Sequence, residues 1–397
     1  MAVPTEVTIL NSIHEVKPDE WGQISGCVDG QTNSSQNPFI SHKFLSALED
    51  SAAVGGNSGW YPRPMILRER QNGGLIGAAL VYLKAHSMGE YVFDHGWAQA
   101  CEGLGQDYYP KLQLSVPFSP VPGPRVMVHC KYRNSPEGEQ IGMTLAEALI
   151  EVAQQNQLSS IHATFVDEYT QRILQAAGFL PRHGIQFHWQ NKSYVDFDGF
   201  LAELSSRKRK AIRRERQEAA ESGIEFVTLS GDQITEQDWD GYDRCYRAIS
   251  DRKWGTPYLP RGFFTEIGRT MGEQIVLVLA KVGGEVVAGA LNLRNQERLF
   301  GRNWGSLQEF KFIHFETCYY RAIDYAIAEG LQWVEAGVQG EHKLQRGYLP
   351  VKTVSLHWLR DERLRAAVAD FLRRESLFID QQMAEYSSHS PYRQVGE

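Results

Sequence analysis

The chain has 397 residues, of which 42% are hydrophobic and 22% charged, with a net charge of −7. That length suggests about two lobes, each with a core of its own. An acidic balance excludes a generally basic nucleic-acid binder, so any anion site must be a local patch. Five cysteines, Cys27, Cys101, Cys130, Cys245 and Cys318, are odd in number and widely spaced. Without a C-x-x-C pair they indicate neither a disulfide framework nor a zinc site, and they fit a reducing, cytoplasmic compartment. The first residues, MAVPTEVTILNSIHEV, lack a basic start and a long apolar run, so no signal peptide is expected. Nor is there an apolar stretch of membrane-spanning length.

In chain order, the first clear feature is PMILRERQNGGLIGAALVYL (64–83), two apolar runs around Gly-Gly. Glycine tolerates the positive φ of tight hairpin turns, so this reads as a β-hairpin. The segment 94–126 follows, rich in aromatics and with four prolines between 117 and 124, which rule out a regular inner strand there. Its polar and aromatic candidates for ligand contact are Asp94, His95, Trp97, Tyr108, Tyr109, Lys111 and Arg125, with lid packing as the plainer reading. Next come a helix within 144–156, a strand within 159–166 and the segment GFLPRHGIQFHW (178–189).

The second half repeats this order. QIVLVLAKVGGEVVAGALNL (274–293) is a hairpin, 314–330 a helix, 331–338 a strand, and GYLPVKTVSLHW (347–358) matches 178–189 without a gap. The chain is thus an α/β protein with mixed sheets made of two copies of one unit, at 1–194 and 195–375, followed by a tail at 376–397. Features kept by both copies, including His188 and His357, read as scaffold.

Three features are not shared. Seven of the ten residues 207–216 are basic, on a helix that Ser205 or Ser206 can cap and Gly223 can end. Lys208, Arg209, Arg213 and Arg214 are its phosphate-binding candidates, set against a solvated helix face. On the helix 312–330, Glu316 shares an apolar stripe with Phe312, Tyr319 and Ile323, so it is either a paired structural carboxylate or a tuned acid/base. His314 and Cys318, four residues apart, offer a His/Cys pair, set against a buried filler cysteine. The turn GVQGEHKLQRGYLP (337–350) sits at the carboxyl end of a strand. There Glu341 or His342 is a candidate base, and Gln339, Lys343 and Arg346 are candidates to hold phosphate or carboxylate.

The strand and helix order resembles the GNAT-type N-acyltransferases. The duplicated form, with SSRKRKAIRRERQEAAESGIEF opening the second copy, resembles the Fem-type peptidyltransferases of peptidoglycan synthesis. YYPKLQLSVPFSPVPGPR, RKRKAIRRER, HFETCYY and GVQGEHKLQRGYLPVKTVSLHW are similar to the Fem-like predicted N-acyltransferases of bacteria and plastids. The resemblance implies tandem GNAT-type lobes and direct transfer of an acyl or aminoacyl group to an amine of a small or peptide-like acceptor. No tightly bound cofactor is implied, the donor being aminoacyl-tRNA or acyl-CoA. The GNAT pyrophosphate loop is missing from GSLQEFKFIHFE and misspaced in RNSPEGEQIGM, which favours a donor other than acetyl-CoA. Two other readings stand beside this one: an acyl-CoA enzyme with an atypical pyrophosphate site, and a non-catalytic module that recognises a peptidoglycan precursor or RNA. The unshared features direct attention to the space between the lobes.

Overall fold

The computed structural model describes residues 4–28, 31–32, 37–253, 255–338 and 340–393. The chain forms two compact units, 1–184 with 352–381, and 185–351 with 382–397. Neither is a simple half of the chain, and the reason lies in the two closing strands. Leu180–Gln190 begins in the first unit, but His188, Trp189 and Gln190 pair with strand Trp333–Glu335 of the second. Leu349–Leu359 begins in the second unit, and its end, Leu356–Leu359, pairs with Ser160–Ala163 of the first. Each copy's His-Trp dipeptide therefore completes the sheet of the other.

In the first unit, Met65–Glu69 and Leu75–Ala79 pair antiparallel as the hairpin reading expects. They lie between Thr5–Ile9 and Val126–Val128 in one small sheet. The chain then leaves that sheet, and Val81–Lys84 pairs with Lys111–Leu114 in a second one. Lys111–Leu114 in turn runs parallel to Ser160–Ala163. The segment 94–126 thus contributes an inner strand, upstream of its prolines. Helix Pro136–Gln155 starts where Ser135 accepts a bond from the Gly138 N–H, with Pro136 free of the need to donate. Its Leu145, Ala146 and Leu149 pack with Leu67, Ile161 and Ile173 in the core of the unit.

Much of the first unit's polar chemistry is buried. Lys111 Nζ donates to Ser87 (2.7 Å), Glu90 (2.8 Å) and Asp94 (2.5 Å). The Tyr108 hydroxyl donates to Asp94 (2.7 Å) and lies 3.0 Å from His162. His162 and His357 meet through their Nδ1 atoms at 2.7 Å. Arg125 donates to the carbonyls of Thr164 (3.0 Å) and Val121 (2.8 Å), and the Tyr109 hydroxyl bonds Ser87 (2.8 Å). Trp97 packs edge-on to His357 at 4.8 Å. Tyr108, Lys111, Arg125 and Trp97 are therefore interior groups, with partners from within the unit, where the sequence suggested an open ligand surface. A buried charge needs partners: Lys111 is paired with Glu90 and Asp94, and Arg125 is satisfied by backbone carbonyls.

In the second unit the sheet runs Glu225–Ser230, Ile275–Val282, Glu285–Arg294, Arg298–Ser306, Trp333–Glu335 and the end of Leu180–Gln190. Gly283 and Gly284 have φ of 58° and 87° and join the second and third of these strands in a tight turn, which requires positive φ at both positions. Helix Glu236–Lys253 packs on the third and fourth strands. Phe200, Ile212, Val276, Leu299, Ile323 and Ala326 form a core with Trp189. The C-terminal helix Glu362–Ser388 begins in the first unit.

Cys101, Cys245 and Cys318 are free, but Cys130 is disulfide-bonded, which the cysteine spacing did not anticipate. Among the described residues no helix is long and apolar enough to cross a membrane.

Candidate functional site

The site grows from an irregularity in the second unit's sheet. Along strands Glu285–Arg294 and Arg298–Ser306 the register steps from Leu291↔Asn303 to Asn292↔Gly301, with Arg302 bulged between. Bulges re-aim side chains and concentrate at functional sites. The neighbouring parallel strand is only Trp333–Glu335, while Arg298–Ser306 continues past it. A cavity of about 140 Å³ lies there, lined by Asn292, Arg302, Asn303, Trp304, Ala336, His314, Cys318 and Tyr319.

The last three residues come from a helix with a defect. Ile313–Phe315 is α-helical, Glu316–Tyr320 is a π-helical turn, and Arg321–Ala328 resumes the α-helix. Phe312 has a φ of 63° and stands before the helix rather than on its stripe. The π-turn changes which side chains share a face. His314 lies against Tyr319, five residues on, at 5.3 Å between ring centroids. Burial pushes the Cys318 thiol well up, so it is a poor thiolate nucleophile.

Glu316 is held by Arg216 (3.0 and 3.2 Å) and Arg321 (2.9 Å). Its place on the apolar stripe is thus that of a buried, paired carboxylate, the structural of its two readings. Arg216 also binds Asp324 at 2.6 Å, so this member of the basic run faces inward.

His342 closes the arrangement. It lies in the 3₁₀ turn Glu341–Arg346, after the short strand. Its Nε2 is 2.9 Å from the Tyr319 hydroxyl, and its ring packs against Tyr319 (5.6 Å), Phe315 (5.7 Å) and His314 (5.8 Å). Gly340, with φ of 107°, lies so close beneath that a Cβ there would be 2.4 Å from His342 Cε1. Tyr319 is held in turn by Tyr348, whose hydroxyl donates to its carbonyl at 3.2 Å. Burial, then the nearby Arg346 and Lys343 cations, push the His342 imidazole below its ordinary value, so it is neutral at pH 7.

The other residues of the turn have separate tasks. Lys343 is buried and donates to the carbonyls of Ala336 (2.5 Å) and Gly337 (3.2 Å), tying the turn to the strand end. Its burial pushes the ammonium down to about 8. Arg346 is engaged by Glu215. Glu341 is exposed and accepts from Tyr386 at 2.8 Å, outside the cavity lining. Gln339 lies outside the described residues.

The basic run occupies helix Ser206–Ala220, and Ser205 makes no side-chain cap bond to it. Arg213 and Arg214 point outward to Asp198 (2.8 Å) and Glu218 (2.7 Å), pairs that solvent screens. Lys208 and Arg209 are half-buried. Burial and the cations of Arg207 and Arg346 push Lys208 below its ordinary value. Among the described residues no cluster of three His, Cys, Asp or Glu is placed to hold a metal.

Sequence reasoning missed Asn292, Arg302, Asn303 and Trp304. For the last three the signal was RNW, polar and bulky residues within an inner strand.

Comparison with known proteins agrees on the frame. FemX is 11% identical with a TM-score of 0.50, over 92% of this chain and 100% of that one. L-PGS from Bacillus licheniformis is 10% identical with a TM-score of 0.50, over 87% and 98%. A conserved protein of unknown function from Bacteroides thetaiotaomicron VPI-5482 is 12% identical with a TM-score of 0.51, over 89% and 100%. At such identities these likenesses show the fold, a tandem GNAT-type duplication. No curated protein matches the chain. The model of the FemAB-like family, described as peptidoglycan biosynthesis/recognition, matches residues 12–394, nearly the whole length, and the chain belongs to that family.

Proposed function

We propose that the second unit transfers an acyl or aminoacyl group to an amine by direct attack, with the Tyr319–His342 pair moving the proton. The observation that carries this reading is the 2.9 Å contact between a cavity-lining phenol and a histidine held neutral. A neutral imidazole is the form that accepts a proton. In the tautomer protonated at Nδ1, Nε2 accepts from the Tyr319 hydroxyl. The amine nitrogen bonds to the acyl carbon and the bond to the leaving group breaks. As the amine loses its proton to Tyr319, the phenol passes its own to His342, and the proton returns to the leaving group.

A cavity of about 140 Å³ suits a small acyl group. The donor's phosphates fall to the basic helix, through Lys208, Arg209, Arg213 and Arg214. Aminoacyl-tRNA is the donor we favour over acyl-CoA, because neither copy offers a pyrophosphate cradle at its long helix. In the first unit that helix opens with Glu137 and Glu139, which repel anions. In the second, Phe312 precedes it and no glycine loop exists. The acceptor is an amine of a small or peptide-like molecule, of the sort a family tied to peptidoglycan would meet, and the reaction takes place in the cytoplasm, where such donors are made.

Protein incubated with charged tRNA, or with acyl-CoAs, and a mixture of amines and peptidoglycan stem peptides is examined by mass spectrometry. An N-acylated product that depends on His342 supports the reading. Product from acyl-CoA alone overturns the donor, and product undiminished in His342→Ala overturns the site.

A further inference from the structure

The basic helix does more than present cations. Two consecutive residues on its inner side grip the two ends of the π-turn. Arg216 binds Glu316 at the first position of that turn. Glu215 accepts from the Tyr320 hydroxyl at the last. Glu215 also receives both contacts from Arg346 Nη2, at 2.9 and 2.8 Å. Arg346 is 6% exposed. Its Nη1 donates to the His342 carbonyl at 2.8 Å. Its guanidinium carbon lies 3.3 Å from the centre of the Phe315 ring, which forms a wall against His342. Its remaining donor, Nε, is buried and has no acceptor. The guanidinium's bonds thus run to the His342 turn and to the basic helix.

We infer that Glu215 and Arg346 are a positioning pair that holds His342 against Tyr319 and makes the basic helix and the His342 turn one mechanical piece. The importance of this pair for turnover rests on the proposed role of His342, but the geometry does not. The charges facing His342 come from three elements. Its own turn supplies Arg346 and Lys343, with Glu341 turned away to Tyr386. The π-turn segment supplies Tyr319, and His314 packs beside it. The basic helix supplies Glu215, which balances Arg346, and Lys208, which feels Arg346. Removing Arg346 takes away a repelling cation. Removing the charge of Glu215 leaves that cation unbalanced. The two changes therefore act on His342 in opposite directions, whereas loosening of a structural contact acts in one.

The test is an NMR titration of the ring of His342 in isotope-labelled full-length protein. R346M is expected to move its midpoint upward by roughly half a pH unit or more, and E215Q downward. R346K, which keeps the charge but loses the planar fork, should titrate near wild type and yet show a weaker Tyr319 contact. It also serves if R346M does not fold. Shifts in the same direction, or none in any variant, overturn the inference. With an active donor in hand, R346K should lower kcat and leave KM unchanged, and an effect on KM alone also overturns it. Opposite shifts together with full turnover in His342→Ala would leave the positioning pair standing and remove the proposed function.

Discussion

Replacing Glu316 by alanine removes a carboxylate that is 3% exposed and accepts three N–H bonds from Arg216 and Arg321. Breaking a buried ion pair by removing one partner costs about 3–5 kcal/mol when the other charge is stranded. Here it is not fully stranded. Arg216 keeps Asp324 at 2.6 Å, and the Arg321 side chain is 34% exposed and reaches water. The cost therefore falls below that range, at about 2–3 kcal/mol, which for a unit of this size lowers Tm by about 4–12 °C. Glu316→Gln keeps the shape and should lose less, because an amide oxygen at the Oε1 position can still accept from both Arg216 and Arg321. Thermal melts by circular dichroism measure the loss, and transfer assays below the variant's Tm measure turnover. A structural Glu316 gives a lower Tm with turnover largely retained in Glu316→Gln. A Tm within about 1 °C of wild type with turnover abolished would refute the reasoning and return Glu316 to the chemistry.

His342→Ala and Tyr319→Phe should each lower turnover by about 10²–10⁴; melts near wild type separate that from unfolding. The acid limb of the rate profile should fall below pH 6.5, since the lowered imidazole keeps its neutral form to lower pH and activity is lost as pH drops through it. The first unit should be acid-sensitive. His162 is held down to about 3, chiefly by burial and then by Lys111, while the unfolded chain protonates near its ordinary 6.5. Its contribution is full above pH 6.5 and is lost as pH falls toward 3, by about 1.4 kcal/mol per unit. Urea midpoints unchanged between pH 7 and 5 would contradict this. Reversing Lys208, Arg209 and Arg213 to Glu should weaken binding of charged tRNA and flatten its salt dependence, and affinity unchanged across salt concentrations would exclude the phosphate role.

The repeat and its hairpins were readable because they are local: a Gly-Gly turn, a strand of one period and a cap each announce themselves within a few residues. The exchange of closing strands was not readable. GFLPRHGIQFHW and GYLPVKTVSLHW are so alike that neither says which sheet will accept it. The same limit explains Tyr108 and Lys111. Their polar character suggested a ligand surface, but Lys111 finds Glu90 and Asp94 from 21 and 17 residues away, and burial follows from that pairing. The Tyr319–His342 contact joins residues 23 apart and depends on a π-turn, which a 3.6-residue period cannot express. His342 was still legible as a candidate, because a polar cluster after an apolar strand marks a strand's carboxyl end.

Duplication gives each copy the same frame, so the places where the copies differ carry the specialisation. At the start of the long helix the first copy has Ser135, Glu137 and Glu139, a well-capped and anion-repelling turn. At the matching place the second has an uncapped start and a π-turn that feeds Cys318 and Tyr319 into a cavity. A capped, regular helix is the more stable choice, and a π-insertion persists only where surrounding contacts hold it. Those contacts are Arg216 on Glu316 and Glu215 on Tyr320, both from the basic helix that only the second copy has. The first copy's Tyr108, Asp94, Lys111 and Glu90 instead bind one another in its interior. The basic helix, the π-turn and the His342 turn thus form a single dependent set. Losing the helix would free the π-turn to relax to α and carry Tyr319 off its place.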